Sequence, residues 1–293
     1  MKKLSPVPIL AALAFASVYW FTDNVVATIA GFLGRDMIAL TVPRLVAAAV
    51  AGALMMALFE SRKLTDLGLH WNRSGGCNLV SGIATGAAGA ALLIFPPVLL
   101  GMAHFERISD ADAASITVRA GFFTAALLFC GAAGEEIAFR GFPLQMLMRG
   151  YGAWASIAGM GVLFGLMHHF NPGSTVLSTV NTAGFGVLFG FALLRSHDLW
   201  LPIGIHFGWN AALPFLGVPL SGFTIKVTEY QLVWKAGVLW SGGTYGPEAS
   251  LLASFVLLAM TAVVWKMPVR KGWAWLLDAE QDSGAARYSD AAH

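Results

Sequence analysis

Three short stretches place ionisable or amide side chains one helical turn apart amid apolar neighbours. They are Gly134-Glu135-Glu136-Ile137-Ala138-Phe139-Arg140, Phe164-Gly165-Leu166-Met167-His168-His169 and His206-Phe207-Gly208-Trp209-Asn210. On a helix Glu136 and Arg140 form an ion pair with the carboxylate placed N-terminally, the better order, and this suits a buried charge network holding helices together. Glu135 points about 100° away and shares its face with Phe139. It is a second negative charge beside a single arginine, and a carboxylate with no dedicated cation in low dielectric suits a general base or acid. His168 lies one turn beyond Phe164, beneath a glycine-rich surface (Gly159, Gly161, Gly165) that permits close helix approach. Spacing alone does not choose between His168 and His169. His206 and Asn210 can point at the same place, where an imidazole and an amide hydrogen-bond a developing oxyanion. The plainer reading of that pair is an interhelical clamp worth about 1 kcal/mol.

Together these groups are the parts of peptide-bond hydrolysis. A carboxylate and an imidazole deprotonate one water for attack on a carbonyl, and a second imidazole with an amide stabilises the tetrahedral oxyanion. A second version holds a zinc ion on Glu135, His168 and His206 with water as fourth ligand. No HExxH occurs, and no serine or cysteine shows a nucleophile signature. Ser178, Thr179 and Asn181 either pack or line the cavity.

The elements that must position these residues are membrane spans. Of 293 residues 57% are hydrophobic and only 12% charged, about half the charge of a soluble domain. A net charge of +2 gives no basic footprint for nucleic acid. Apolar runs long enough to approach the roughly 20 residues of a spanning helix occur at Val7–Leu33, Ile38–Phe59, Leu79–His104, Ile116–Met148, Ala153–Phe170, Thr175–Leu194, Trp200–Leu216 and Leu251–Trp265. The expected fold is therefore an all-α polytopic membrane protein with about eight transmembrane helices. With the N-terminus inside, Lys2, Lys3, Arg62, Lys63, Arg73, Arg149, Arg195, Lys266, Arg270, Lys271 and Arg287 fall on the inner side. Arg35, Arg44, Arg107, Arg119, Lys226 and Lys235 fall at or near the outer face, where the 104–114 loop carries Glu106, Asp110 and Asp112. This bias predicts N-in and C-in.

Ala14-Phe15-Ala16 resembles a signal-peptide cleavage site, but the apolar run continues past it to Leu33, so it is read as a span. Residues 1–278 are expected to form a single transmembrane domain with its motif core at 116–216. The long 217–249 connection is placed outside, with Trp234 and Trp240 as headgroup-level anchors, and 279–293 form a flexible tail. Cys77 and Cys130 read as buried small hydrophobes.

The three stretches resemble the motifs EExxxR, FxxxH and HxxxN of the CPBP family (CAAX protease and bacteriocin-processing), whose best-known branch is the type II CAAX prenyl endopeptidases. Leu67-Gly68-Leu69 looks like the family too. The resemblance implies an eight-helix core, a water held by Glu135 and His168, and an oxyanion site at His206 and Asn210. It favours His168 over His169, and gives Glu136, Arg140 and Phe164 supporting parts. The expected function is an intramembrane endopeptidase acting on a peptide or membrane-protein substrate, without a cofactor in the favoured version and with zinc in the other. A bacterial inner (plasma) membrane is the expected location. The rivals are a non-catalytic relative, serving in peptide-toxin immunity or as a scaffold, and a proton-linked transporter. Retention of all four polar groups argues against the first. The lack of an internal repeat argues against the second.

Overall fold

In a computed structural model the structure describes residues 7–31, 36–109 and 116–278. The tail at 279–293 and the expectations for Lys2, Lys3, Arg35, Asp110 and Asp112 lie outside the described residues. In chain order the elements are α1 (Val7–Gly31), α2 (Asp36–Met55, ending in a π-turn at Met56–Glu60), a 3-10 turn (Leu64–Leu67), α3 (Arg73–Leu99) and β1 (Ala103–Arg107). Then follow α4 (Val118–Arg140), α5 (Phe142–Tyr151), α6 (Ala153–His168), α7 (Val176–Ser196), α8 (Trp200–Phe215), β2 (Tyr230–Trp234), α9 (Val238–Ser241) and α10 (Leu251–Lys266).

The protein is all-α apart from one antiparallel strand pair, in which Ala103 of β1 faces Trp234 of β2. Among the described residues five segments are long and apolar enough to cross a membrane: Val7–Gly31, Thr41–Glu60, Arg73–Leu99, Val118–Tyr151 and Val176–Ser196. The other three expected runs form the 16-residue helices α6, α8 and α10. The 217–249 connection is not one long loop. It folds back through a Leu220–Phe223 bridge, β2, α9 and two 3-10 turns.

The run expected as one span from Ile116 to Met148 is broken. Helix α4 stops at Arg140 and α5 starts at Phe142, because Pro143 has no N–H to carry the ladder onward. Gly141 is required at the joint: a Cβ there would meet the Ile137 carbonyl oxygen at 2.2 Å. The broken end is satisfied by Gln145, whose Nε2 donates to the Arg140 carbonyl at 3.1 Å and to the Leu67 carbonyl at 3.0 Å. Leu67 therefore belongs to a folded plug. Gly68 sits at φ 90° against the backbone of Asp198 and Leu199, and the Leu199 N–H donates to the Gly68 carbonyl.

Helix α8, which carries His206 and Asn210, is held by α3. Gly82 and Gly86 of α3 face Gly204 and Gly208 of α8. A Cβ on Gly86 would lie 2.1 Å from the Ile205 carbonyl oxygen, and one on Gly208 would lie 2.3 Å from that of Ile83. Small residues four apart on both helices let the backbones touch, which is how helices gain packing energy in lipid. Gly161 and Gly165 of α6 do the same against Ala183 of α7, whereas Gly159 meets nothing. At the far end of this pair, Asp198 accepts from the Trp200 N–H at 2.6 Å and from Asn78 Nδ2 at 3.1 Å. The same Asn78 amide donates to the Arg270 carbonyl at 2.8 Å. Burial pushes the Asp198 carboxyl up to about 6.

Two expectations follow. Gly86→Ala should lower stability in detergent by about 1–3 kcal/mol, while Gly76→Ala on the same helix, where a Cβ meets nothing within 4 Å, should leave the melting temperature unchanged. Because the Asp198 pKa is higher folded than unfolded, its contribution is complete below about pH 4 and declines as pH rises through about 6. Melting temperatures taken from pH 4 to 7 should therefore fall less in Asp198→Asn than in the wild type.

Candidate active site

The structure brings the three motifs together. At their centre Glu136 and Arg140 are both fully buried and joined at 3.2 Å. Arg140 Nη2 donates to the Gly186 carbonyl of α7 at 2.9 Å, and its guanidinium lies over the rings of Phe164 (4.4 Å) and Phe189 (5.1 Å). Glu136 Oε1 also accepts from His206 Nδ1 at 2.8 Å. One ion pair thus ties α4 to α6, α7 and α8. Phe164 packs on the His168 ring at 4.5 Å and Phe189 stacks on His206 at 4.8 Å, fixing both ring planes.

These bonds also fix which ring nitrogens face the site. A carbonyl oxygen only accepts, so His168 Nδ1–H donates to the Phe164 carbonyl at 2.8 Å. The Glu136 carboxylate, paired with Arg140, likewise takes the proton of His206 Nδ1. In the neutral form of either ring Nε2 presents a lone pair, and both Nε2 atoms stand 3.8 Å from Glu135 Oε2. That spacing is too long for a direct hydrogen bond. Three acceptor atoms face one another, and a shared proton or a hydrogen-bond donor is what such a set attracts.

A zinc ion would need those donors closer. Bonds of about 2.0–2.1 Å in a tetrahedron place donors about 3.4 Å apart. Among the described residues no group of three or more His, Cys, Asp or Glu side chains is arranged to hold a metal. The two spacings of Glu135 from His168 and His206, 3.8 Å each, are wider than that tetrahedral spacing.

The sites lie in a cavity of about 740 Å³ lined by Glu135, His168, His206 and Asn210 among others. Asn210 is half-buried one turn beyond His206 and lines the same cavity. His169 turns away from the cavity and bonds the Thr179 hydroxyl at 2.9 Å. Thr179 and Ser178 do not line the cavity either. Thr175 caps α7, its hydroxyl accepting from the Ser178 N–H, and Asn181 Nδ2 donates to the carbonyls of Glu248 and Ser250.

One expectation fails. Glu135 was read as a carboxylate with no dedicated cation, but Arg44 of α2 reaches it at 3.3 Å. Arg44 sits inside the Ile38–Phe59 run, so the rule that flagged the other buried charges applies to it equally. The Arg44 side chain is 43% exposed and lines the same cavity with Tyr19 and Asp23 of α1. A second residue, Glu248, gave no sequence signal because it sits in the connection before α10. Its Oε1 accepts from Trp209 Nε1 at 2.9 Å and its Oε2 from the Ser221 N–H and hydroxyl. Burial pushes its carboxyl up, against these hydrogen bonds.

No curated protein and no solved structure matches the chain. Residues 117–212 match the family described as Rce1-like, type II CAAX prenyl endopeptidase Rce1-like. The match starts at Thr117, the residue that caps α4, and ends in α8 just beyond Asn210. The segment that assembles Glu135, His168, His206 and Asn210 is thus the part of this integral membrane protein that is similar to the Rce1-like type II CAAX prenyl endopeptidases.

Proposed function

We propose that the protein is an intramembrane endopeptidase of eight spans that hydrolyses a peptide bond with a water activated by Glu135 and His168. The observation that carries this reading is the convergence of Glu135 Oε2 with the Nε2 atoms of His168 and His206, each 3.8 Å away, on the wall of a cavity that also holds Asn210. A water beside Glu135 donates one proton to the carboxylate and is oriented by His168. As its oxygen attacks the carbonyl carbon, Glu135 takes the proton and the carbonyl oxygen becomes an oxyanion. The Asn210 amide donates to that oxyanion. His206 donates as well, but only as the imidazolium, since its Nδ1–H is committed to Glu136. The Glu136 carboxylate stabilises that cation, and Arg140 and Phe164 hold Glu136 and His168 in place. The proton collected by Glu135 then passes to the leaving amine as the C–N bond breaks.

Arg44 fits this scheme as a counter-ion that holds Glu135 in its orientation through Oε1, leaving Oε2 for the water. The alternative, a relative with the fold but no catalysis, gives no use to two imidazole Nε2 atoms turned toward one carboxylate.

The test is cleavage of a diverse peptide library by the purified protein in detergent. Glu135→Gln and His168→Ala should each lower the rate by about 10²–10⁴-fold with unchanged melting temperature, and Asn210→Ala by about 10²–10³-fold. Full activity in Glu135→Gln would overturn the assignment. Incubation with a strong zinc chelator should leave the rate unchanged, whereas loss on chelation with recovery on adding zinc would make Glu135, His168 and His206 ligands. Arg140→Ala should act differently. It strands Glu136 in the core and should cost about 3–5 kcal/mol of stability, seen as poor expression and a lowered melting temperature.

A further inference from the structure

The cavity is one-ended. Helix α4 lines it from Thr124 to Phe139, and the other helices line it toward one end: α1 at Tyr19–Asp23, α2 at Thr41 and Arg44, α6 from Phe164 to His168, α7 from Thr182 to Phe189, and α8 from His206 to Asn210. Its rim is completed by Leu220–Lys226 and Glu248 of the connection between α8 and α10. That connection is a folded roof and not a loose loop. Glu248 is fastened to Trp209 of α8, its neighbours Ser250 and Ser254 are bonded by Asn181 of α7, and the β1–β2 pair extends it. Phe223 and Thr224 at the rim are exposed.

The opposite end is closed. Below Glu135 lie the fully buried Glu136, Arg140 and Gln145. Beneath them the plug at Leu64–Gly68 is held by Gln145 and by the Leu199 N–H. Leu67, Leu144, Leu199 and Ile203 there are each 0% exposed. No lining residue of the cavity comes from this end.

The closed end also carries the basic loops. Arg62 and Lys63 flank the plug, Arg73 starts α3, Arg149 ends α5, and Arg270 and Lys271 follow α10. Short loops rich in Lys and Arg stay on the cytoplasmic side. Around the open end, among the described residues, Arg107 is paired with Glu229 across the strand edge, Arg44 is paired with Glu135 inside the cavity, and Arg119, Lys226 and Lys235 are scattered. The bias is independent of the site's chemistry and points one way.

We infer that the active-site cavity opens on the non-cytoplasmic face, so that the substrate is a peptide segment presented outside the cytoplasm or in the outer half of the membrane. This rests on the proposed peptidase reading for what the cavity does, but not for where it opens. A cytoplasmic peptide would have to pass the Leu67 plug and the Glu136–Arg140 layer to reach Glu135.

The experiment uses the full chain in bacterial cells, with Cys77→Ser and Cys130→Ala as the background. Thr224→Cys at the cavity rim and Lys271→Cys at the basic end each supply one thiol for a membrane-impermeant maleimide. In intact spheroplasts Thr224→Cys should label at least tenfold faster than Lys271→Cys, and inverted membrane vesicles should reverse the order. Labelling of Thr224→Cys only in inverted vesicles would overturn the inference. A library peptide cleaved by the detergent-purified protein is then added to both preparations. Cleavage in spheroplasts by wild type but not by Glu135→Gln is expected, and cleavage confined to inverted vesicles would sink the proposed substrate side. If no peptide is cleaved in detergent, it is the peptidase reading that fails, and the labelling order still decides the orientation.

Discussion

The rest of the structure depends on one buried ion pair. Burying Glu136 and Arg140 carries a desolvation cost that their mutual attraction offsets only when the remaining donors and acceptors are used. Here they are used to bind other helices: the guanidinium holds the α7 backbone at Gly186 and lies on the Phe164 ring of α6, and the carboxylate holds His206 of α8. Glu136 Oε2 and Arg140 Nε are left without hydrogen-bond partners, so the pair is not arranged for maximal stability. What it supplies is registry. Four helices whose lipid-facing surfaces are interchangeable are locked at one height relative to each other, and the position of Glu135 beside the two imidazoles follows from that height.

The motifs of the site were legible because charges and imidazoles are rare in apolar runs, and a helical turn of spacing says which of them share a face. Glu136 with Arg140, Phe164 with His168, and His206 near Asn210 all met as the i,i+4 pattern implies. What spacing cannot give is the partner from a distant helix. Arg44 lies 91 residues from Glu135, and no local pattern in α2 announces that it turns inward. Its presence in an apolar run was the available signal. Glu248 had none, since a glutamate between Pro247 and Ala249 reads as an ordinary loop residue until Trp209 and Ser221 are seen around it.

Helix positions were legible for the same reason and helix ends less so. The break at Gly141 is written in Pro143, but a proline near the end of a long apolar run is also common in unbroken spans. The glycines of α3 and α8 appear in the sequence as two pairs four apart, yet which faces which is decided by the fit of Ile83 and Ile205 into the opposing backbones. In the sequence the plug at Leu67-Gly68-Leu69 shows only as a short family likeness. Its structural reason is that Gly68 lies where a side chain would collide with the start of α8.

Helix α6 has a further consequence. Its 16 residues rise about 24 Å, several ångströms less than a hydrocarbon layer of about 30 Å. Its flank is apolar and outward-facing at Val162, Leu163 and Leu166, the surface that acyl chains meet in the eight-span reading. A bilayer meets such a deficit by drawing its headgroups inward along the short helix. His168 is the last residue of that helix, so in the eight-span reading proposed above the dimple falls where α6 ends. In that reading the polar surface of the bilayer dips toward the imidazole, and the lipid as well as the cavity shortens the path of water to Glu135.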